Sequence, residues 1–402
     1  MKRWTEKFGL DVVVELLHPA TLLLGMALAM LFATYVGYPV ATALRARLRP
    51  MPTEERTQWE DELPTVSCVV AAHDEGENLV AKVQNLLGLD YPREKLEVVI
   101  ADDGSTDGSA LAAVALDPER VRVVRTPLRG GKAQALAKAV PEAKGELLVL
   151  CDVRQRFDDQ AVRELVRPFV DPSIGAASGQ LLLDGARGPG AYWRYESWIR
   201  RAEAKVDSTV GVSGSIYAIR RRLFPETLPS SLILDDVYVP MSVVLAGYRV
   251  VHVEGAKAYD EELATDEEFP RKVRTLAGNY QLFALMPDVL DPFRNRLFWP
   301  FFWHKVARLL CPWALGCAFV ASAFAPGLVP RGLFVAQLAF YALAILGKLL
   351  GPKAGRLASL CHAFVMLHVA AVVGLYDAVR GRSGAWAPTS HLRRVEGRRL
   401  TG

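Results

Sequence analysis

Between Thr65 and Cys151 the chain alternates β-rich apolar runs with helical patterns, and each run ends in polar residues that have to leave a sheet. Thr65 to Ala72 (TVSCVVAA) is followed by the loop His73-Asp74-Glu75-Gly76-Glu77-Asn78 and then by Leu79, Val83, Leu86 and Leu87 at helical spacing. Leu96 to Ala101 leads into Asp102-Asp103-Gly104-Ser105, a helix near Ser109 to Leu116 and a short strand from Val121 to Arg125. Arg129-Gly130-Gly131-Lys132 opens a helix through Val140, and Glu146 to Cys151 is strand again. Runs this apolar read as strands covered on both faces. Strands alternating with helices imply parallel pairing through right-handed crossovers, so the expectation is an α/β domain with a Rossmann-like, mostly parallel sheet.

In such a sheet, ligands bind beyond the carboxyl ends of the strands. That makes Val98 to Ser109 (VVIADDGSTDGS) and Leu147 to Phe157 (LLVLCDVRQRF) the most informative segments, because both put carboxylates directly after a strand. Taken alone, Asp102 and Asp103 are open to a turn or a ligand-binding reading, since Asp, Gly and Ser are ordinary turn residues. The Arg129 to Lys132 loop is likewise open: a plain loop leading into a helix, or an anion site at a helix N-terminus. Gly175 to Leu183 and Gly211 to Tyr217 are small-residue runs that would let a backbone approach a ligand closely or form tight loops, and neither predicts a named contact.

Taken in order, these segments resemble glycosyltransferase family 2, inverting nucleotide-sugar transferases with a GT-A fold. The resemblance runs from about Pro64 to Gln281 and rests on Ala71-Ala72-His73-Asp74-Glu75, Asp102-Asp103-Gly104-Ser105, Gly131-Lys132, Asp152 and Leu234-Asp235-Asp236. It implies that Ala72, His73, Glu75, Asp102 and Asp103 hold the nucleoside, most often uridine, with Lys132 close to it or to its diphosphate. It also places Asp152 as the first metal-site carboxylate and Asp236 as the catalytic base.

The chemistry explains the need. Breaking the bond from the anomeric carbon to a nucleoside diphosphate leaves negative charge on phosphate, which a divalent ion or cationic side chains must stabilise. Asp152 suits Mg2+ or Mn2+ through hard oxygen ligation, phosphate oxygens and water completing the shell. The family's second carboxylate is missing, because the chain reads Asp152-Val153-Arg154-Gln155. Arg154 is therefore open to three positions: paired with Asp152, against the diphosphate, or pointing away. Inversion needs a base for the acceptor hydroxyl, expected at Asp236, with Asp235 directed elsewhere because neighbouring side chains diverge. The local alternative is that both acids cap the helix after Leu234.

Arg271-Lys272-Val273-Arg274-Thr275-Leu276 lies where processive relatives such as cellulose, chitin and hyaluronan synthases carry Gln-x-x-Arg-Trp. Arg274 matches the arginine and is expected near the leaving diphosphate. Thr275 in place of tryptophan argues against processive polymerisation. The segment also reads as an amphipathic helix with its basic face toward headgroups.

A mean hydropathy of +0.15, 51% hydrophobic and 23% charged residues indicate a membrane protein with a substantial polar domain. Leu16 to Leu44 carries no formal charge and is followed by Arg45, Arg47 and Arg49; Leu309 to Val329, Gly332 to Gly351 and Leu357 to Tyr376 are further candidate spans. The expected organisation is an anchor over 1–49, a linker over 50–63, a GT-A domain over 64–265, interfacial helices over 266–308, spans over 309–378 and a basic tail over 379–402. Phe298 to Trp303 (FWPFFW) is expected at headgroup depth. The arginines after the first span place the catalytic domain in the cytoplasm, whereas three later spans followed by a basic tail disagree with that count. His362 and His368 read either as a polar path or as neutral histidines packed between helices.

The net charge of +4 suits anionic lipid headgroups and excludes nucleic acid as the expected partner. All five cysteines lie in apolar segments without zinc-like spacing. The reading is a membrane-bound inverting transferase that moves sugar from a nucleotide-sugar donor, UDP-linked, to a lipid-linked or glycan acceptor, with polysaccharide-export proteins as further partners. Two alternatives are a polyprenyl-phosphate glycosyltransferase and a catalytically silent nucleotide-sugar-binding subunit.

Overall fold

The computed structural model describes residues 17–51, 63–184, 191–261 and 265–381. Most of the linker at 50–63 and the basic tail beyond Gly381 lie outside the described residues. The chain divides into two compact units, one built on Ala46–Glu262 and Gln281–Leu297, the other on the segments up to Arg45, Leu263–Tyr280 and Phe298–Arg380.

The first unit is an α/β domain around an eight-stranded sheet of order β3-β2-β1-β4-β7-β6-β8-β5. Its strands are β1 (Val66–Ala72), β2 (Leu96–Asp102), β3 (Val121–Arg125), β4 (Leu147–Asp152), β5 (Arg156–Phe157), β6 (Ile174–Asp184), β7 (Ile216–Arg220) and β8 (Arg249–Glu261). The predicted alternation is present: β3, β2, β1 and β4 run parallel, joined by helices. The other half is mixed, because β7 runs antiparallel to both β4 and β6 while β6 and β8 are parallel. β1 is buried at every residue, as its unbroken apolar run requires.

Alternate residues serve two layers. Cys68, Val70, Val98, Ile100, Val149 and Cys151 pack on Leu79, Val83 and Leu86 of the helix Glu77–Leu87 and on Val162 and Leu165. On the opposite face, β4 Leu150 lies beside β1 Val69 and β7 Tyr217, and this face extends through Asp152 by the two-residue period of a strand.

His252 on β8 introduces a pH dependence. Both of its ring nitrogens are buried without a hydrogen-bond partner among the described residues, and burial, reinforced by Arg200 and Arg201, lowers its pKa to about 4. The unfolded chain takes up this proton near 6.5 while the folded domain refuses it until about 4, so stability falls as pH drops through that window. The full difference is on the order of 3 kcal/mol. His252→Phe should flatten the melting temperature between pH 6.5 and 4; an unchanged acid slope would refute the assignment.

Among the described residues, the second unit contains four helices long and apolar enough to cross a membrane, Pro19–Leu48, Phe298–Phe324, Leu328–Leu350 and Gly355–Val379. They match the four expected spans, except that the second begins at Phe298, making Phe298 to Trp303 its first turns. Small residues set the spacing, as usual for helices in lipid. Leu24 and Ala27 meet Ala314, Ala318 and Ala321, and a Cβ on Gly347 would lie 2.3 Å from the Ala358 carbonyl oxygen. Gly374 brings the last helix against the main chain of Ala277 on the helix Thr265–Leu285, where a Cβ would approach the nitrogen to 2.8 Å. His368 is a packed histidine: Nδ1 is 2.7 Å from the Phe364 carbonyl oxygen and must donate to it, so Nε2 accepts from the Tyr35 hydroxyl at 3.0 Å.

Candidate active site

Three parallel strands finish at one edge of the sheet. Ala72 is in register with Asp102, and Ala71 with Asp152, so the loops after β1, β2 and β4 emerge side by side. Strand order reverses between β1 and β4, which is the crevice where open α/β sheets take ligands.

The β1 and β2 loops are laced together. Asp74, with a positive φ of 49°, donates its amide to Ser105 Oγ at 3.0 Å and accepts from the Thr106 amide at 2.7 Å. The Gly76 amide donates to Asp107 at 2.8 Å, and His73 Nδ1 lies 2.7 Å from the Asp103 carbonyl oxygen. Asp102 and Asp103 are both buried. The Asp102 carboxylate accepts from the Ser105 amide at 2.9 Å and pairs with Arg125 at 3.2 Å. The Asp103 carboxylate accepts one amide on each oxygen, Gly130 at 2.7 Å and Gly131 at 2.8 Å. Gly104 has φ +70°, and a Cβ there would meet Leu128 and Arg129 main chain at 3.0 Å, so the glycine-rich loop lies directly on the Asp-Asp-Gly-Ser turn.

Asp103→Ala should therefore release that loop, because charge-assisted hydrogen bonds are each worth about 1.5–3 kcal/mol. The expected result is a loss of about 2 kcal/mol or more, with faster hydrogen exchange at Gly130 and Gly131 and little change in the helix Glu77–Leu87. Uniform acceleration across the domain would instead indicate general destabilisation.

Beyond this scaffold, Lys132 opens the helix Lys132–Ala139 and reaches two acids. Its ammonium lies 2.9 Å from Asp152 and 3.1 Å from Asp235. Burial acts to lower the Lys132 pKa, but the two carboxylates outweigh it and hold the ammonium well above the ordinary lysine value. Asp235 and Asp236 form the first turn of the helix Asp235–Leu245, whose N-cap Leu234 makes no side-chain cap. The divergence expected of neighbours is present: Asp235 turns to Lys132, while Asp236 lies beside Gly214, where a Cβ would stand 3.7 Å from the carboxylate.

Glu75 belongs to the same electrostatic neighbourhood. Burial and then Asp152 raise its pKa, against the opposing pull of Arg154. Of the three positions open to Arg154, the structure selects one away from Asp152: its guanidinium pairs with the buried Asp260 at 2.6 Å, and Gln155 donates to the same carboxylate at 2.9 Å. Lys82, buried in the helix Glu77–Leu87, holds the same turn from beneath through the Gln155 carbonyl oxygen at 2.7 Å.

Ala72, His73, Glu75, Asp102, Asp103, Lys132, Asp152, Arg154, Asp235 and Asp236 thus all belong to the α/β unit. Arg274 lies on the helix Thr265–Leu285, in a segment grouped with the membrane helices. Sequence reasoning missed Asp260 and Tyr217. Asp260 is distant in sequence from Arg154, and Tyr217 looked like one more residue of a small-residue run. Tyr217 is fully buried, yet among the described residues its hydroxyl has no hydrogen-bond partner, an arrangement that costs about 1–3 kcal/mol.

The donor set fits a divalent ion in a limited way. Among the described residues no group of three or more His, Cys, Asp or Glu side chains is arranged to hold a metal. Asp152 alone is a half-exposed carboxylate at the sheet edge, with 42% of its side chain accessible. One carboxylate with substrate phosphates is an ordinary Mg2+ arrangement.

Comparison with known proteins agrees with this architecture. Residues 67–227 match the model of Glycosyl transferase family 2. A beta-monoglucosyldiacylglycerol synthase of Nostoc sp. is 28% identical over 182 residues, 42% of this chain and 39% of the relative. The chain thus spans about two fifths of that relative's length. An N-acetylglucosaminyltransferase of Bradyrhizobium elkanii is 30% identical over 144 residues, covering 35% of this chain and 74% of the relative. In fold, the chain is similar to the mannosyltransferase PcManGT of Pyrobaculum calidifontis, solved with GDP-Man and Mn2+, with a TM-score of 0.68 at 23% identity over 89% of this chain and 99% of that one. The GT-A-like sheet, the ordered motif segments and these matches together place the chain in glycosyltransferase family 2.

Proposed function

We propose that the protein is a membrane-bound inverting glycosyltransferase that moves a sugar from a UDP-linked donor to a lipid-linked or glycan acceptor. The observation that carries this reading is the Lys132 ammonium set between Asp152 and Asp235 at the sheet edge, with Asp236 next in the chain. It joins a cation for a departing diphosphate to a carboxylate for an incoming hydroxyl.

In this scheme Ala72, His73 and Glu75 line the nucleoside side. Asp102 and Asp103 act on the same pocket by fixing its loops, their carboxylates being engaged by main-chain amides and Arg125. Lys132 meets the diphosphate. Asp152 would hold a divalent ion, which when bound supplies charge neutralisation at the phosphates. Arg154, aimed by Asp260, adds positive charge in place of the family's second carboxylate. Asp236 takes the acceptor's proton as its oxygen attacks the anomeric carbon from the side opposite the leaving group. Arg274 would contribute to the leaving diphosphate.

Four long apolar helices and a relative named for a glucosyldiacylglycerol product support an acceptor at the membrane. The catalytic side is then the cytoplasmic one, in keeping with Arg45, Arg47 and Arg49 after the first span. A GDP-linked donor is the second reading, favoured by the mannosyltransferase solved with GDP-Man. Release of nucleoside diphosphate from UDP- and GDP-sugar panels, with membrane lipid extract as acceptor and with or without EDTA, tests both. Release from one panel assigns the donor, extractable labelled lipid assigns the acceptor class, and no release from any donor would refute the proposal.

A further inference from the structure

The unpartnered Tyr217 hydroxyl lies among the charges of the candidate site. Tyr217 sits in mid-sheet on β7, opposite Leu150 on β4, and Asp152 follows on the same face of β4. Its phenol is fully buried and its oxygen has no hydrogen-bond partner among the described residues. After burial itself, Asp235 is the strongest influence raising its pKa, with Lys132 opposing and Asp236 and Asp152 adding to it. Asp235 Oδ2, only 11% of whose side chain is accessible, is 3.1 Å from the Lys132 ammonium yet accepts no aligned hydrogen bond among the described residues. One buried donor is thus left without a partner and one buried acceptor is held by an ion pair alone, an arrangement that native interiors avoid.

We infer that Tyr217 is a positioning residue that takes over Asp235 when Lys132 is drawn to the donor diphosphate. The inference rests on the donor reading given above. Lys132 has one ammonium for Asp152, Asp235 and an incoming phosphate. A diphosphate between Lys132 and Asp152 competes for it with the charge of two phosphoryl groups. As Lys132 swings to the phosphate, Asp235 would be stranded as a buried, uncompensated carboxylate, which would oppose donor binding. The Tyr217 O–H is a buried donor with no partner among the described residues, and the Asp235 carboxylate, which already acts on it electrostatically, is the acceptor it would take up. The orphan hydroxyl of the free protein is satisfied in the donor-bound one, and part of the nucleotide affinity comes from that exchange. Because Asp235 and Asp236 are consecutive in one helical turn, holding Asp235 also holds the orientation of Asp236.

The test is binding of UDP and GDP, each with Mn2+, to purified full-length protein in nanodiscs, comparing wild type, Tyr217→Phe, Lys132→Met and the double variant, with thermal melting of each without nucleotide. Tyr217→Phe should melt at or slightly above the wild-type temperature, because it removes an unmet hydroxyl and leaves the ring. It should nonetheless bind nucleotide about tenfold more weakly, the loss of roughly one hydrogen bond to a charged group. In the Lys132→Met background the same substitution should change affinity less than twofold, since the exchange no longer occurs. Wild-type affinity in Tyr217→Phe, or equal losses in both backgrounds, would overturn the exchange while leaving the donor reading intact. A wild type that binds neither nucleotide would overturn both. A lowered melting temperature together with weaker binding would mark Tyr217 as a packing residue and also overturn it.

Discussion

Asp236→Asn should lose sugar transfer by about 10²–10⁴-fold, the usual contribution of a positioned general base. Its binding of nucleoside diphosphate should change little, because the group that reaches Lys132 is Asp235 and not its neighbour. The two side chains leave the helix in different directions, so an amide at 236 keeps the shape beside Gly214 and removes only the capacity to take a proton. Steady-state kinetics should show kcat falling with the donor KM nearly constant, which is the signature of an interaction made in the transition state. Full retention of kcat would remove Asp236 from this role. It would also favour a phosphate acceptor, which carries no hydroxyl proton and needs no base, and so a polyprenyl-phosphate transferase.

Lys132→Met should produce a large structural effect. Removing one partner from a buried pair typically costs about 3–5 kcal/mol. Here Asp152 is half in solvent, which screens its share, whereas Asp235 is mostly enclosed, so about 2–3 kcal/mol is expected from the Asp235 side. The sign of the pH dependence follows from the raised Lys132 pKa. Its stabilisation is fully present below the unfolded value, near 10.5, and disappears only as pH rises through the still higher folded value. The deficit of the variant should therefore be constant between about pH 7 and 9, in contrast to the acid-dependent contribution of His252. Denaturant or thermal unfolding at several pH values measures this. A deficit that changed steeply across the neutral range would point to another group. Lys132→Arg should recover part of the stability but not the donor affinity, because a planar guanidinium cannot reproduce the point charge held by two diverging carboxylates.

The elements that can be read from the sequence are those fixed by local patterns. β1, β2 and β4 announce themselves as unbroken apolar runs, and each must end where its carboxylate or small polar loop begins. The alternation with helices fixes parallel pairing, and a shared carboxyl edge for Asp102 and Asp152 follows from it, whereas Lys132, Asp235 and Asp236 were assigned to the same site by the family resemblance alone. Length and apolarity alone identified the four candidate spans, and the helix of the second extends back through the aromatic turns Phe298 to Trp303.

Only the tertiary structure decided what the charges do to one another. Whether a carboxylate is a ligand or a scaffold depends on which amides face it, and Asp103 faces two from a loop that packs onto its own turn. Arg154 had three positions open by sequence, and the partner it takes, Asp260, was not foreseen: it arrives on β8 from more than a hundred residues away, a separation that no local pattern encodes. The antiparallel setting of β7 is equally non-local, and it puts Tyr217 among the charges of Lys132 and Asp235. Strand and helix periods depend on neighbours within a few residues, so they are written in the chain. Ion pairs and orphaned polar atoms depend on long-range register, and they exist only once the sheet is assembled.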